Sequence, residues 1–173
     1  MRFQRWMGNN NPSKDVSADM TAKILDELRN IQTVSSLRPS DRVILYIGTV
    51  LTEKAHTEIE SEEVSVVLAA LGASVQQQRH VIAAFEWFYG TKHAAYSKLF
   101  PLALKTLYEE ELVEEDVFLE WSVDYAKNDY TADDSLICID KLEELKQNAA
   151  PFITWLEEAD EEGESEEESD EED

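Results

Sequence analysis

The sequence predicts an all-α fold of antiparallel helical hairpins stacked on one another, followed by a disordered acidic tail. Three observations predict it. Apolar residues recur at gaps of three and four through most of the chain, the spacing of a helix face. No stretch of comparable length alternates apolar and polar residues as a half-buried strand does. The connections between the amphipathic stretches are short, so successive helices pack as antiparallel neighbours. No repeat of fixed period is visible, so a solenoid-like stack is compatible with the pattern without being derived from it.

The elements follow in order. "MGNNNPSKD" reads as the end of a linker over 1–15, because glycine, asparagine and proline punctuate it. Met20, Ile24, Leu25, Leu28 and Ile31 form one stripe between Ala18 and Val34. Pro39, Ser40 and Asp41 open a second helix through about Lys54, since proline suits a first turn and aspartate the positive end of the dipole. Its buried face is Val43, Ile44, Ile47, Val50 and Leu51. Ser61, Glu62 and Glu63 open a third, which Gly72 stops. Ser74 caps a fourth, "VQQQRHVIAAFEWFY", with Gly90 as its left-handed terminator. Pro101 starts a fifth through Tyr108, and a sixth covers about Glu114 to Lys127. Thr131 caps a seventh that runs to about Asn148, and Pro151 begins or kinks a last short helix, "APFITWLEEA".

Charge is distributed unevenly. The chain of 173 residues has 38 acidic and 15 basic side chains, a net charge of -23. Residues 1–106 carry 12 basic and 11 acidic groups, whereas 107–173 carry 3 and 27, so the whole excess lies in the last part. Phosphate-bearing nucleic acid and anionic membranes are repelled by such a surface, and a basic partner is favoured. From Asp160 onward no apolar residue remains to offset the entropy of ordering, so 160–173 reads as disordered tail and 16–159 as the folded domain. With 43% apolar residues one core is expected.

Several chemistries are excluded or unsupported. The five glycines are scattered singly, so no phosphate-cradling loop can be written from them. His56, His80 and His93 lack any second ligand at metal spacing, and no metal or cofactor is expected. Cys138, the one cysteine, lies in the apolar run "SLICIDKL" and reads as a small buried residue in a reducing compartment. Carboxylates are too abundant for any two to stand out as a catalytic pair. No apolar run approaches the length of a membrane-spanning helix.

Two stretches join a helical apolar face to a dense group of acids. The first, "LYEEELVEEDVFLEW", sets Glu109, Glu110, Glu111, Glu114, Glu115, Asp116 and Glu120 among apolar residues and closes on Trp121. The second, "APFITWLEEADEE", places Phe152, Trp155, Leu156 and Ala159 on one stripe ahead of Glu157, Glu158, Asp160, Glu161 and Glu162. Helical spacing alone leaves Phe152 and Trp155 open to either core or contact. Acids this crowded repel one another, and a lysine-rich ligand relieves that repulsion and gains electrostatic steering.

These two stretches resemble the paired aromatic and acidic boxes at the carboxyl end of eukaryotic translation initiation factor 5 and of the epsilon subunit of initiation factor 2B. "VILYIGTVL" and "AAFEWFYGTKHAAYSKLFPLALKTLYEEELV" also fit, so the resemblance covers about residues 16–162. It implies a HEAT-like (ARM-type) superhelical domain acting as an assembly platform in the cytoplasmic preinitiation complex. The implied partners are the lysine-rich amino-terminal segment of the initiation factor 2 beta subunit, the initiation factor 3 c subunit and initiation factor 1. Carried over position by position, the partner-binding residues are Glu109, Glu110, Glu111, Glu114, Glu115, Asp116, Trp121, Phe152, Trp155, Glu157, Glu158, Glu161 and Glu162.

The GTPase-activating arginine of factor 5 belongs to an amino-terminal zinc domain, and neither that domain nor its cysteines are in this sequence. A monomeric, non-enzymatic binding domain is therefore expected, either part of a GTPase-activating parent or a stand-alone competitor of factor 5. Nucleotide exchange on initiation factor 2 is the alternative, through the likeness to the epsilon subunit. A polycation chaperone rests on the tail alone. Arg79, Lys92, Lys98 and Lys105 are candidates for a separate contact with an acidic partner. Ser165 and Ser169, each followed by acids, suit an acidophilic kinase such as casein kinase 2, and the family is known as such a substrate.

Overall fold

In the computed structural model the described residues are 2–10, 18–123 and 137–167, the stretch 160–167 as helical backbone only. All regular structure among them is helical: α1 (Arg2–Asn10), α2 (Ala18–Ser35), α3 (Asp41–Val50), α4 (Ala55–Glu58), α5 (Glu62–Leu71), α6 (Val75–Trp87), α7 (Phe100–Glu109), α8 (Glu115–Val123) and α9 (Ile139–Glu167). A π-helical turn (Phe88–Lys92) and a 3-10 segment (Ala94–Leu99) join α6 to α7. Each helix packs on its neighbours along the stack: α2 on α3 and α5, α3 and α5 on α6, α6 on α7 and α8, and α7 and α8 on α9. One core runs through all of them, with Leu28, Ile47, Leu68, Ile82, Phe85, Leu104, Phe118 and Leu156 fully buried.

Most boundaries follow from local chemistry. The Ser74 hydroxyl accepts from the Gln77 amide and so caps α6. Pro101 occupies the first turn of α7, where its missing N–H is harmless. Gly72 ends α5, its amide donating to the Leu68 carbonyl at 2.8 Å.

The amino terminus departs from its reading as linker. Residues 2–10 form α1, because Phe3, Trp6 and Met7 sit at helical spacing amid the glycine and asparagine. Phe3 is buried and stacks on Trp6 with ring centroids 6.2 Å apart. Arg2 pairs with Glu27 of α2 at 2.8 Å. The helix expected to reach Lys54 instead stops at Val50. Leu51 turns to extended backbone and is buried, while Glu58 accepts from the Thr52 amide and hydroxyl at 2.8 and 2.6 Å, starting a separate short α4.

Gly90 is no left-handed terminator, since no described glycine has positive φ. Its role is space. A Cβ there would lie 2.2 Å from Ile137 Cδ1 and 3.3 Å from Leu145 Cδ1, so α9 and its approach seat directly on the π-helical turn. Nor is Cys138 buried: it is exposed just before α9, where its carbonyl accepts from the Lys141 and Leu142 amides at 3.1 Å and so starts the helix rather than continuing one.

Pro151 neither starts nor divides the last helix, which runs through it from Ile139 to Glu167. Proline in a helix interior costs about 3 kcal/mol. Burial of Phe152, Ile153 and Leu156 returns about 1.5–3 kcal/mol for each side chain, so the packed helix wins. Helix then continues past Asp160, where the tail was expected to begin; glutamate is a good helix former and each added residue gains one backbone bond. The Thr131 cap, the end of the sixth predicted helix beyond Val123, and 168–173 lie outside the described residues.

Gly90→Ala is expected to lower stability by about 1–3 kcal/mol, the cost of overpacking. Its effect and that of Ile137→Ala should combine less than additively in denaturant melts, because both act on one contact.

Candidate functional site

The contacts of α9 set the site. Lys146 donates to the Trp121 carbonyl at 2.8 Å, Phe152 meets Phe118 edge-on at 5.3 Å, and Trp155 meets Tyr108 edge-on at 5.7 Å. Thus α9 runs antiparallel to α8 and alongside α7 in the same direction. The carboxyl end of α7, the amino end of α8 and the Trp155–Glu158 turn of α9 therefore lie side by side. The two acidic stretches, separate in sequence, form one neighbourhood there.

The turn between α7 and α8 is a Schellman motif. The Leu112 amide donates to the Leu107 carbonyl at 2.9 Å and the Glu111 amide to the Tyr108 carbonyl at 3.0 Å. Leu107 and Leu112 are both buried beneath it. Glu111 holds the position glycine usually fills, at φ 55°. Left-handed backbone costs a non-glycine residue about 1–2 kcal/mol.

The acids divide by role. Glu109, Glu110, Glu111, Asp116, Glu157 and Glu158 are exposed. Of these, Glu109 pairs with Lys105 at 3.4 Å, and the others make no ion pair with a described residue. Glu114 is tied to α6: its amide donates to Gln78 Oε1 at 2.9 Å and its carboxylate accepts from Gln78 Nε2 at 3.1 Å. Glu115 is half-buried and accepts from the Tyr108 hydroxyl at 3.1 Å. Glu161, Glu162 and Ser165 fall where only the backbone of α9 is described, and Ser169 lies outside the described residues. Glu109 and Glu110 at the carboxyl end of α7 oppose the helix dipole, so helix stability does not explain them.

The aromatics divide as well. Trp121 is core, 4% exposed, and its Nε1 donates to buried Glu86 at 2.6 Å. Phe152 is also core, wedged on Phe118. Both rings are buried, so each is first of all a scaffold residue, with Phe152 also lining the cleft beside Trp155. Trp155 is 42% exposed and borders a cleft of about 220 Å³ with Pro101, Leu102, Lys105, Pro151 and Phe152. Lys105 stands over the Trp155 ring at 5.4 Å. Lys105 and Tyr108 thus belong to this site. Only a tertiary contact brings them to Trp155, so spacing could not have assigned them there.

The expected second, basic contact does not assemble. Arg79 is buried and donates to the Val117 carbonyl at 3.2 Å, Lys92 donates to the Gly48 carbonyl, and Lys105 is at the acidic end. Among the described residues no group of three or more histidine, cysteine or acidic side chains is placed to hold a metal, and no helix is long and apolar enough to cross a membrane.

Glu111→Gly is expected to raise stability by about 0.5–1 kcal/mol in thermal or denaturant melts, because it relieves the left-handed backbone. The same variant removes one exposed carboxylate from the acidic end.

Comparison with known proteins bears on this site. A family model described as W2, eIF4-gamma/eIF5/eIF2-epsilon, matches residues 77–172, which takes in both acidic stretches. No curated protein and no solved structure matches the chain. All but the first two residues of α6, the later helices, the aromatic joint and the acidic surface lie within the matched region. The chain therefore belongs to the W2 family, all-α HEAT-like domains through which translation factors bind other proteins.

Proposed function

We propose that this domain is an assembly platform of the translation preinitiation complex, working in the cytoplasm and docking the lysine-rich amino-terminal segment of the initiation factor 2 beta subunit. The initiation factor 3 c subunit and initiation factor 1 are further partners. The observation that carries this reading is the half-exposed Trp155 ring, set beside Tyr108 where the exposed acids of α7, the α7–α8 turn, α8 and α9 converge. An ammonium group gains both a carboxylate and an indole face there, and the lysine stem covers the apolar cleft. The buried aromatics hold the three helices in place while the exposed acids attract and orient the ligand. The domain acts by binding, without catalysis or cofactor, and as a monomer.

The inclusion of eIF2-epsilon in the family description supports a second reading, promotion of nucleotide exchange on initiation factor 2. GDP release from that factor separates the two: acceleration favours exchange, and unchanged release despite binding favours the platform. Phosphate on Ser165 or Ser169 would add charge to the acidic carboxyl-terminal stretch and strengthen the hold on lysine blocks.

For a peptide of the beta-subunit lysine block, calorimetry should show affinity falling at least about fivefold between about 0.05 M and about 0.3 M salt. Glu157→Gln with Glu158→Gln should weaken binding several-fold more than Glu60→Gln with Glu62→Gln, which removes equal charge from the exposed start of α5. Salt-independent affinity, or equal losses in the two pairs, would rule the reading out. Trp155→Ala should cost only about 1–2 kcal/mol of stability, less than Phe152→Ala at about 3–5 kcal/mol, so its binding defect can be read without unfolding.

A further inference from the structure

We propose that Lys105 is a built-in competitor for the cation site, seated on the surface that an incoming lysine must occupy. The inference rests on the proposed docking of a lysine-rich segment and concerns how that same site is regulated. Lys105 Nζ lies 5.4 Å from the Trp155 ring centroid and 3.4 Å from Glu109 Oε1. The residue therefore already makes both contacts that recommend the site to a ligand: an indole face and a carboxylate. It also lines the cleft, together with Pro101, Leu102, Pro151 and Phe152, that a ligand's methylene stem would fill.

The seat is weakly held, as a competitor's must be. The Lys105 and Glu109 side chains are about half exposed, and such surface pairs contribute little. Lysine four residues before glutamate is also the poorer order for a helical pair. Among the described residues, Glu109 and Trp155 alone hold the ammonium. A ligand ammonium displaces it into solvent at small cost, because the lysine stem is long and flexible. Until then the free site is self-screened. Its apparent affinity is reduced by the fraction of molecules in which Lys105 has left the ring.

The surrounding charges select the occupant. The neighbouring Glu110, Glu111, Glu157 and Glu158 are exposed and without a cationic partner among the described residues, so a chain of several lysines finds further carboxylates once Lys105 is displaced. An acidic or purely apolar segment would meet these same acids unfavourably.

The test titrates the full chain with an octalysine peptide by calorimetry at about 0.15 M salt, where distant charges are largely screened. Lys105→Gln should bind about three- to fivefold more tightly than wild type, because the competitor is gone. Lys98→Gln changes net charge equally at an exposed site away from Trp155 and should alter affinity much less. Lys105→Arg keeps a cation that stacks on indole and should bind no more tightly than wild type. Equal effects of Lys105→Gln and Lys98→Gln, or tighter binding by Lys105→Arg, would overturn the inference and leave the docking reading standing. Failure of octalysine to bind either wild type or Lys105→Gln would overturn both. A second readout needs no variant: the Lys105 ε-methylene protons should be shifted upfield by the indole ring in the free protein and move to solvent-like positions as peptide saturates the site. An upfield shift that persists at saturation would also overturn it.

Discussion

The rings of Phe152 and Trp155 on α9, set against Phe118 of α8 and Tyr108 of α7, hold together three helical segments that their own charges push apart. Among the described residues, the exposed carboxylates here make no ion pair, apart from Glu109 with Lys105. Each repulsion between exposed like charges amounts to about 1 kcal/mol at 4 Å in water, and salt reduces it further. Edge-on ring pairs contribute about 0.5–1.5 kcal/mol each beyond the area they bury. Burial of Phe152, Ile153 and Leu156 adds about 1.5–3 kcal/mol per side chain. Packing therefore outweighs repulsion, and the acids remain crowded and available without unfolding the helices that carry them.

The same arithmetic separates scaffold from surface inside each acidic-aromatic stretch. Trp121 anchors α8 through buried Glu86, and Glu114 fixes the start of α8 to Gln78 on α6. Removing either would weaken a joint before it altered a contact. Trp155, by contrast, has one side on Phe152 and the other toward solvent and Lys105. Glu111 is the clearest conflict between stability and use. A glycine would suit its backbone better, yet a carboxylate stands there, on a turn aimed at the same end as Trp155.

Much of this was legible in the sequence because the signals are local. Ser74, Gly72 and Pro101 mark helix ends by hydrogen bonds or their absence within a few residues, and the stripes of α2, α5 and α7 need only their own spacing. The misreadings have tertiary causes. Phe3 and Trp6 order α1 by packing on the rest of the fold, against a composition that favours a loop. Pro151 stays inside α9 because residues beyond it are buried on α7 and α8. Gly90 is small because Ile137 needs the room, not because the backbone turns left-handed. At the site, the acids and Trp155 were legible as a charged amphipathic end. That Trp121 and Phe152 face inward, and that Lys105 reaches the indole, depends on how α7, α8 and α9 are set against one another.

Backbone-amide shift mapping with the lysine-rich segment is the most direct measurement of whether this end of the stack is the docking surface. Perturbations should cluster at residues 105–116 and 155–158 and leave α2, α3 and α5 unchanged. A strong, saturable response centred on those earlier helices, with the α7–α8 turn and residues 155–158 of α9 unmoved, would contradict it.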